Sequence, residues 1–140
     1  MSDVRITVSE RHGRHCAGSG SRWEPIFGYS RAVRTGNVIA VSGTVGANAD
    51  GTYAPSMAAQ ARRALEIIGA AIEALGGRLE HVVRTRMFVT DISKSQELSA
   101  VHGAVFGDIR PAATLVEISR LIHPDAQIEI EADAILPPGA

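Results

Sequence analysis

The sequence predicts an α+β fold in which two helices lie on one face of a mixed sheet. Three observations lead to it. The chain has 140 residues, enough for one domain and too few for two self-sufficient cores. Strand-like and helix-like segments follow one another as strand, strand, helix, strand, helix, strand, strand. In the later strands, alternation collects apolar side chains on one face, which a pair of helices can cover.

Residues 10–25 are rich in Gly, Ser, Arg and His and read as irregular, so residues 1–26 are assigned to an N-terminal arm and 27–140 to the domain. Residues 30–33 and 38–42 read as short strands joined by a hairpin signal at Thr35-Gly36-Asn37. Residues 45–55, with Asn, Asp, glycines and a proline, form a connection. Pro55-Ser56 opens a helix, and Met57, Ala61, Leu65, Ile68, Ile72 and Leu75 recur every three or four residues as one apolar stripe. Gly76-Gly77 ends it, because glycine accepts the left-handed backbone conformation. Residues 82–89 alternate and are rich in valine, so they predict a strand. A second helix spans 95–106, with Leu98, Val101, Val105 and Phe106 on one side. Two strands follow at 114–119 and 128–135, separated by a loop at His123-Pro124-Asp125.

The composition, 45% apolar and 21% charged, is that of a soluble globular chain. A net charge of −1 argues against a nucleic-acid binder held by bulk electrostatics. Every basic residue except Lys94 is arginine. Cys16 stands alone, so no intrachain disulfide forms. The first 14 residues are charged and lack the apolar centre of a secretory signal. The longest apolar run, 67–72, is far too short to cross a bilayer. A cytoplasmic location without membrane attachment is expected.

Parity then sorts the face the helices leave open. In the last strand Ile128, Ile130, Ala132 and Ala134 point to the helices, and Glu129, Glu131 and Asp133 point away. Val83, Thr85, Met87 and Val89 take the helix side, leaving Arg84, Arg86 and Phe88 opposite. Val116 and Ile118 are placed toward the helices, with Ala113, Leu115 and Glu117 on the open face. Such charges need partners if they are half-buried. A subunit interface holding a wet cleft supplies them; a solvated face laced with ion pairs is the alternative.

Several short motifs, in their order and spacing, resemble one family. They are Gly28-Tyr29-Ser30, Gly36-Asn37-Val38-Ile39 running into Val41-Ser42-Gly43, Gln60, and Phe88-Val89-Thr90-Asp91. Pro111-Ala112, Val116-Glu117, Arg120-Leu121 and Ile128-Glu129-Ile130-Glu131-Ala132 complete the set. Over about residues 27–136 the chain resembles the Rid family of reactive-intermediate deaminases, also called YjgF-like or L-PSP endoribonuclease-like proteins. The resemblance implies a chorismate-mutase-like fold with a mostly antiparallel mixed sheet. It implies a homotrimer with sheets facing inward and clefts between subunits. It also implies hydrolysis of small enamines or imines to a keto acid and ammonia, with no metal or organic cofactor.

Carried over by position, Tyr29 lines the cleft, Ser42 and Gly43 supply backbone there, and Glu129 helps place the attacking water. The family's deaminase pattern has a carboxylate-binding arginine directly after Pro-Ala, and here Ala113 occupies that place. An alanine cannot make a charge-assisted bond to a carboxylate, so a different substrate is expected. Arg86 is the candidate replacement, because parity puts it on the face of Glu129 and strands lie only about 4.8 Å apart. The competing reading is an ion pair of Arg86 with Glu117 or Glu131. Phe88, Leu115 and Glu117 complete the expected lining.

His12, His15 and Cys16 lie close together, but nothing completes a tetrahedral site, and they read as surface residues. His102 and His123 read as interface and turn residues. No phosphate loop or nucleophile elbow is present. The leading reading is a Rid-type hydrolase of an enamine or imine, probed best with small imines. A non-catalytic trimer that binds a small molecule is the alternative raised by Ala113. RNA cleavage is disfavoured by the charge and the scarcity of lysine and aromatics.

Overall fold

The computed structural model describes residues 2–139. Its strands are β1 (Thr7–Arg11), β2 (Arg14–Gly18), β3 (Ala32–Thr35), β4 (Val38–Val45), β5 (Val82–Val89), β6 (Ala112–Glu117) and β7 (Ile128–Ile135). Two long helices, α1 (Met57–Ala74) and α2 (Ser95–Phe106), and three short helical turns complete the fold among the described residues. All seven strands form one sheet in the order β1-β2-β3-β4-β7-β5-β6. Only β5 and β6 run parallel, and the α2 crossover between them makes that possible. The fold is α+β with a mixed, mostly antiparallel sheet.

Local chemistry explains the boundaries of α1. Ser56 is extended, and its hydroxyl accepts from the Ala59 N–H, satisfying one of the orphan donors of the first turn. At the other end Gly76 has φ of +90°. The Gly77 N–H donates to the Ile72 carbonyl and the Gly76 N–H to that of Glu73, the double closure of a Schellman motif. The predicted stripe of Met57, Ala61, Leu65, Ile68, Ile72 and Leu75 is fully buried. It packs on Ile39 and Val41 of β4 and on Ile128, Ile130, Ala132 and Ala134 of β7, with Leu98, Val101 and Phe106 arriving from α2. Each large side chain buried this way contributes roughly 1.5–3 kcal/mol.

The region read as irregular contains a β-hairpin. Arg11 pairs with Arg14 across a two-residue turn in which His12 and Gly13 both have positive φ. All of β1 is exposed, so it shows no apolar alternation, and histidine is an uncommon residue at such a turn. Within β2, His15 is exposed and Cys16 buried.

Two parity assignments also change. A register shift lies between Val82 and Arg84, so Val82 enters the core and Val83 is exposed. In β6 the register pairs Met87 with Leu115, Thr85 with Ala113 and Val89 with Glu117. Directly paired residues share a face, so Ala113, Leu115 and Glu117 lie on the helix side. Ala112, Thr114 and Val116 join Arg84, Arg86 and Phe88 on the open face.

Candidate functional site

The site is organised around the β-bulge in β4. The ladder to β7 pairs Val41 with Ala132 and then Thr44 with Ile130, leaving Ser42 and Gly43 in the irregularity. Bulges commonly re-aim groups beside binding sites. Here it brings bare backbone against Glu129. A Cβ on Gly43 would stand 2.8 Å from Cδ of Glu129, so only glycine lets the carboxylate lie there. Ser42 secures the neighbouring segment. Its N–H donates to the Arg31 carbonyl at 3.0 Å and its hydroxyl to the Ser30 carbonyl at 2.6 Å.

Arg31 follows the Gly28-Tyr29-Ser30 motif and precedes β3. Its N–H donates to the Ala17 carbonyl at 2.8 Å, so its backbone is held from both sides. Ala32 pairs with Val41 on the core side, which sends Arg31 to the open face. Its Nη2 donates to the Gly43 carbonyl, its Cζ lies 5.5 Å from the centre of the Tyr29 ring, and its Nε is buried without a hydrogen-bond partner. Burial pushes the Arg31 pKa down, opposed by the nearby Tyr29, Glu24 and Glu129.

Glu129 is half-buried and faces Phe88 across the β5–β7 ladder. Burial pushes its carboxyl above the ordinary carboxylate range, the Arg31 guanidinium pulls it back, and Glu131 adds to the rise. Arg31 and Glu129 are near enough to influence one another, yet they form no ion pair among the described residues. Tyr53 belongs to the same neighbourhood. It bridges to Ala47, stacks on His123 at 4.5 Å, and its phenol is pushed up by burial and by Asp125 and Glu129.

Of the residues selected from sequence, Tyr29, Ser42, Gly43, Phe88 and Glu129 are brought together. Arg86 shares the face, but its Nη1 binds Glu131 at 3.5 Å and Asp133 at 3.1 Å. The ion-pair alternative with Glu131 therefore describes it, and its partners lie two and four residues along β7 from Glu129. Ala113, Leu115 and Glu117 are not on this face of the protomer. Leu115 packs against the core, and Glu117 accepts from the Ile92 N–H at the short turn before α2. The error has a simple source: β6 is an edge strand, mostly exposed on both sides, so its pattern carries little parity information.

Sequence reasoning missed Arg31 and Tyr53. Arg31 carried a usable signal, since it alternates with Ala32 and directly follows a motif already singled out. Tyr53 lies in a connection, where periodicity says nothing. Trp23 is exposed beside Arg22, and Glu24 turns back to accept from the Ser19 N–H and hydroxyl. Phe27 is exposed and meets Tyr29 edge-on with centroids 6.0 Å apart. His102 makes a 2.9 Å contact with the buried Thr85 hydroxyl and takes no part in this site. No described helix is long and apolar enough to cross a membrane.

A family model described as Endoribonuclease L-PSP matches residues 19–136. The 2-iminobutanoate/2-iminopropanoate deaminase of Escherichia coli K12 is 36% identical over 111 residues, covering 76% of this chain and 86% of that protein. A RutC family protein of Pyrococcus abyssi is 33% identical over 113 residues, covering 79% and 88%. The crystal structure of a YjgF/YER057c/UK114 family member from Mycobacterium tuberculosis superposes with a TM-score of 0.82. It is 46% identical and covers 88% of this chain and 99% of that one.

Proposed function

The chain belongs to the Endoribonuclease L-PSP family, the YjgF or Rid proteins, and from that premise we propose that it hydrolyses a small reactive enamine or imine to a carbonyl compound and ammonia. The observation that supports this best is Glu129. It is a half-buried carboxylate, in no ion pair among the described residues, on an open sheet face between bare backbone at Gly43 and the Phe88 ring. A carboxyl raised by burial is a better base at neutral pH than an exposed one.

In this reading, Glu129 accepts a proton from water as the water oxygen bonds to the imine carbon and the C=N pair moves to nitrogen. The same carboxyl then returns the proton to nitrogen. The carboxylate next takes the hydroxyl proton and passes it to the amine as the C–N bond breaks, so ammonia leaves and the carbonyl forms. Tyr29 and Phe88 supply the apolar walls. The protein works as a homotrimer in the cytoplasm, with its open sheet faces turned inward to enclose the clefts. Exposed Val38, Val116 and Ile135 on that face favour burial against a second subunit. Acidic Glu129, Glu131 and Asp133 on one strand favour a small-molecule ligand over an RNA backbone.

Purified protein assayed with 2-iminobutanoate, generated in place, should release 2-oxobutanoate faster than the uncatalysed reaction. Glu129→Gln should lower kcat roughly hundredfold to ten-thousandfold, the usual worth of a positioned base. Equal turnover by wild type and Glu129→Gln would remove the role given to Glu129. A second reading, a trimer that binds a small molecule without chemistry, is favoured by Ala113. Tight binding of a 2-oxo acid with no imine turnover would select it.

A further inference from the structure

We propose that Arg31 is the anion-binding residue of this site, so that the substrate carries a carboxylate held by Arg31 while its reactive carbon faces Glu129. This deepens the hydrolase reading and rests on it for the reaction, though not for the binding.

Arg31 is short of partners. A guanidinium carries five N–H donors. Here one hydrogen bond is made, to the neutral Gly43 carbonyl, and Nε is buried with no partner. A purely structural arginine at comparable burial is expected to be paired, because an uncompensated charge away from water is costly. Glu24 and Glu129 are the acids near enough to act on it, and among the described residues neither meets it as an ion pair. The arrangement is therefore a cation short of an anion beside a carboxyl raised by burial. A substrate carboxylate satisfies the first and leaves the second free to handle water.

The other arginines on the open face are excluded by register. Arg84 is opposite Asp133 and Arg86 opposite Glu131, four residues and two residues along β5 from the Phe88–Glu129 level, and Arg86 is held by both acids. Ala113 offers no donor and sits on the other face of its strand. Arg31 approaches from the β4 side, across Gly43, where no side chain intervenes. Its planar fork suits a carboxylate, and its backbone is fixed by the bonds to Ala17 and Ser42, so little order is lost on binding. The expected ligands are small 2-imino or 2-enamino acids and their 2-oxo acid products, in preference to neutral imines or amides.

Calorimetric titration with 2-oxobutanoate and with the neutral 2-oxobutanamide tests this without needing turnover. Arg31→Gln should weaken 2-oxobutanoate binding roughly tenfold to hundredfold and leave 2-oxobutanamide unchanged, and Arg31→Lys should recover part of the loss. In the unaltered protein, the Arg31 Nε–H resonance should shift during titration with 2-oxobutanoate, a readout that no folding defect can mimic. Unchanged 2-oxobutanoate affinity in Arg31→Gln, a static Nε–H signal, or equal losses for both ligands would overturn the assignment. The outcomes separate from the reaction itself. Wild type that hydrolyses 2-iminobutanoate while Arg31→Gln binds normally ends only the Arg31 role. Arg31-dependent binding without hydrolysis of any imine keeps that role and ends the hydrolase reading.

Discussion

The titration of Glu129 is set by its surroundings. Burial raises its carboxyl, Arg31 lowers it, and Glu131 raises it again. A base must be deprotonated to act, so activity should fall with acid through a pKa above the ordinary carboxylate value. Replacing Glu131 with glutamine removes one raising influence, so the acidic limb of the kcat profile should move to lower pH in Glu131→Gln. A limb that stays in place, or moves upward, would show that Glu129 is not the titrating base. Gly43 completes the residue-level design, since any side chain there would displace the Glu129 carboxylate.

Between elements, the link that matters most is Gln60. It is fully buried on α1, yet polar. Its Nε2 donates to the carbonyls of Ala54 and Asp125, both at 2.9 Å, and its Oε1 accepts from the Gln127 N–H at 2.8 Å. One side chain thus ties the start of the helix to the loop that leads into β7, two residues before Glu129. Replacing it with leucine preserves bulk but leaves those backbone groups unpaired, at about 1–3 kcal/mol for each that water cannot reach. Urea denaturation of Gln60→Leu should show a loss of about 3 kcal/mol. A loss below about 1 kcal/mol would mean that the loop finds other partners. The bulge in β4 works at the same scale, because it turns a strand whose other residues simply alternate into backbone that can cradle a carboxylate.

For the whole molecule, the sheet has one face sealed by α1 and α2 and another that is half charged and half apolar. Arg86 bridges Glu131 and Asp133, while Val38, Val116 and Ile135 stay exposed around them. A face of this kind is stable against a second copy, where the valines and isoleucine leave water and the ion pairs are shielded from salt. Sedimentation equilibrium at micromolar concentration should therefore give a species of three chains. A persistent monomer would contradict the inward-facing arrangement and the intersubunit cleft with it.

The sequence by itself determined the layered α+β class, the α1 stripe with its two caps, the order of the core elements, and the alternation of β5 and β7 from Thr85 onward. In each case the signal is local: side chains at fixed spacing choose between water and a core. It also pointed, through short motifs, to Tyr29, Ser42, Gly43 and Glu129. Only the tertiary structure decided the rest. The β1–β2 hairpin has no apolar alternation and depends on backbone pairing with β3. The side on which Ala113, Leu115 and Glu117 lie depends on the β5–β6 register, because an exposed edge strand has little preference of its own. Arg31 enters the site because β3, the β4 bulge and β7 meet there, and Arg86 leaves it because its partners are on β7. Pairings between distant segments are set by how the strands align, and that alignment is a property of the assembled sheet rather than of any one stretch of chain.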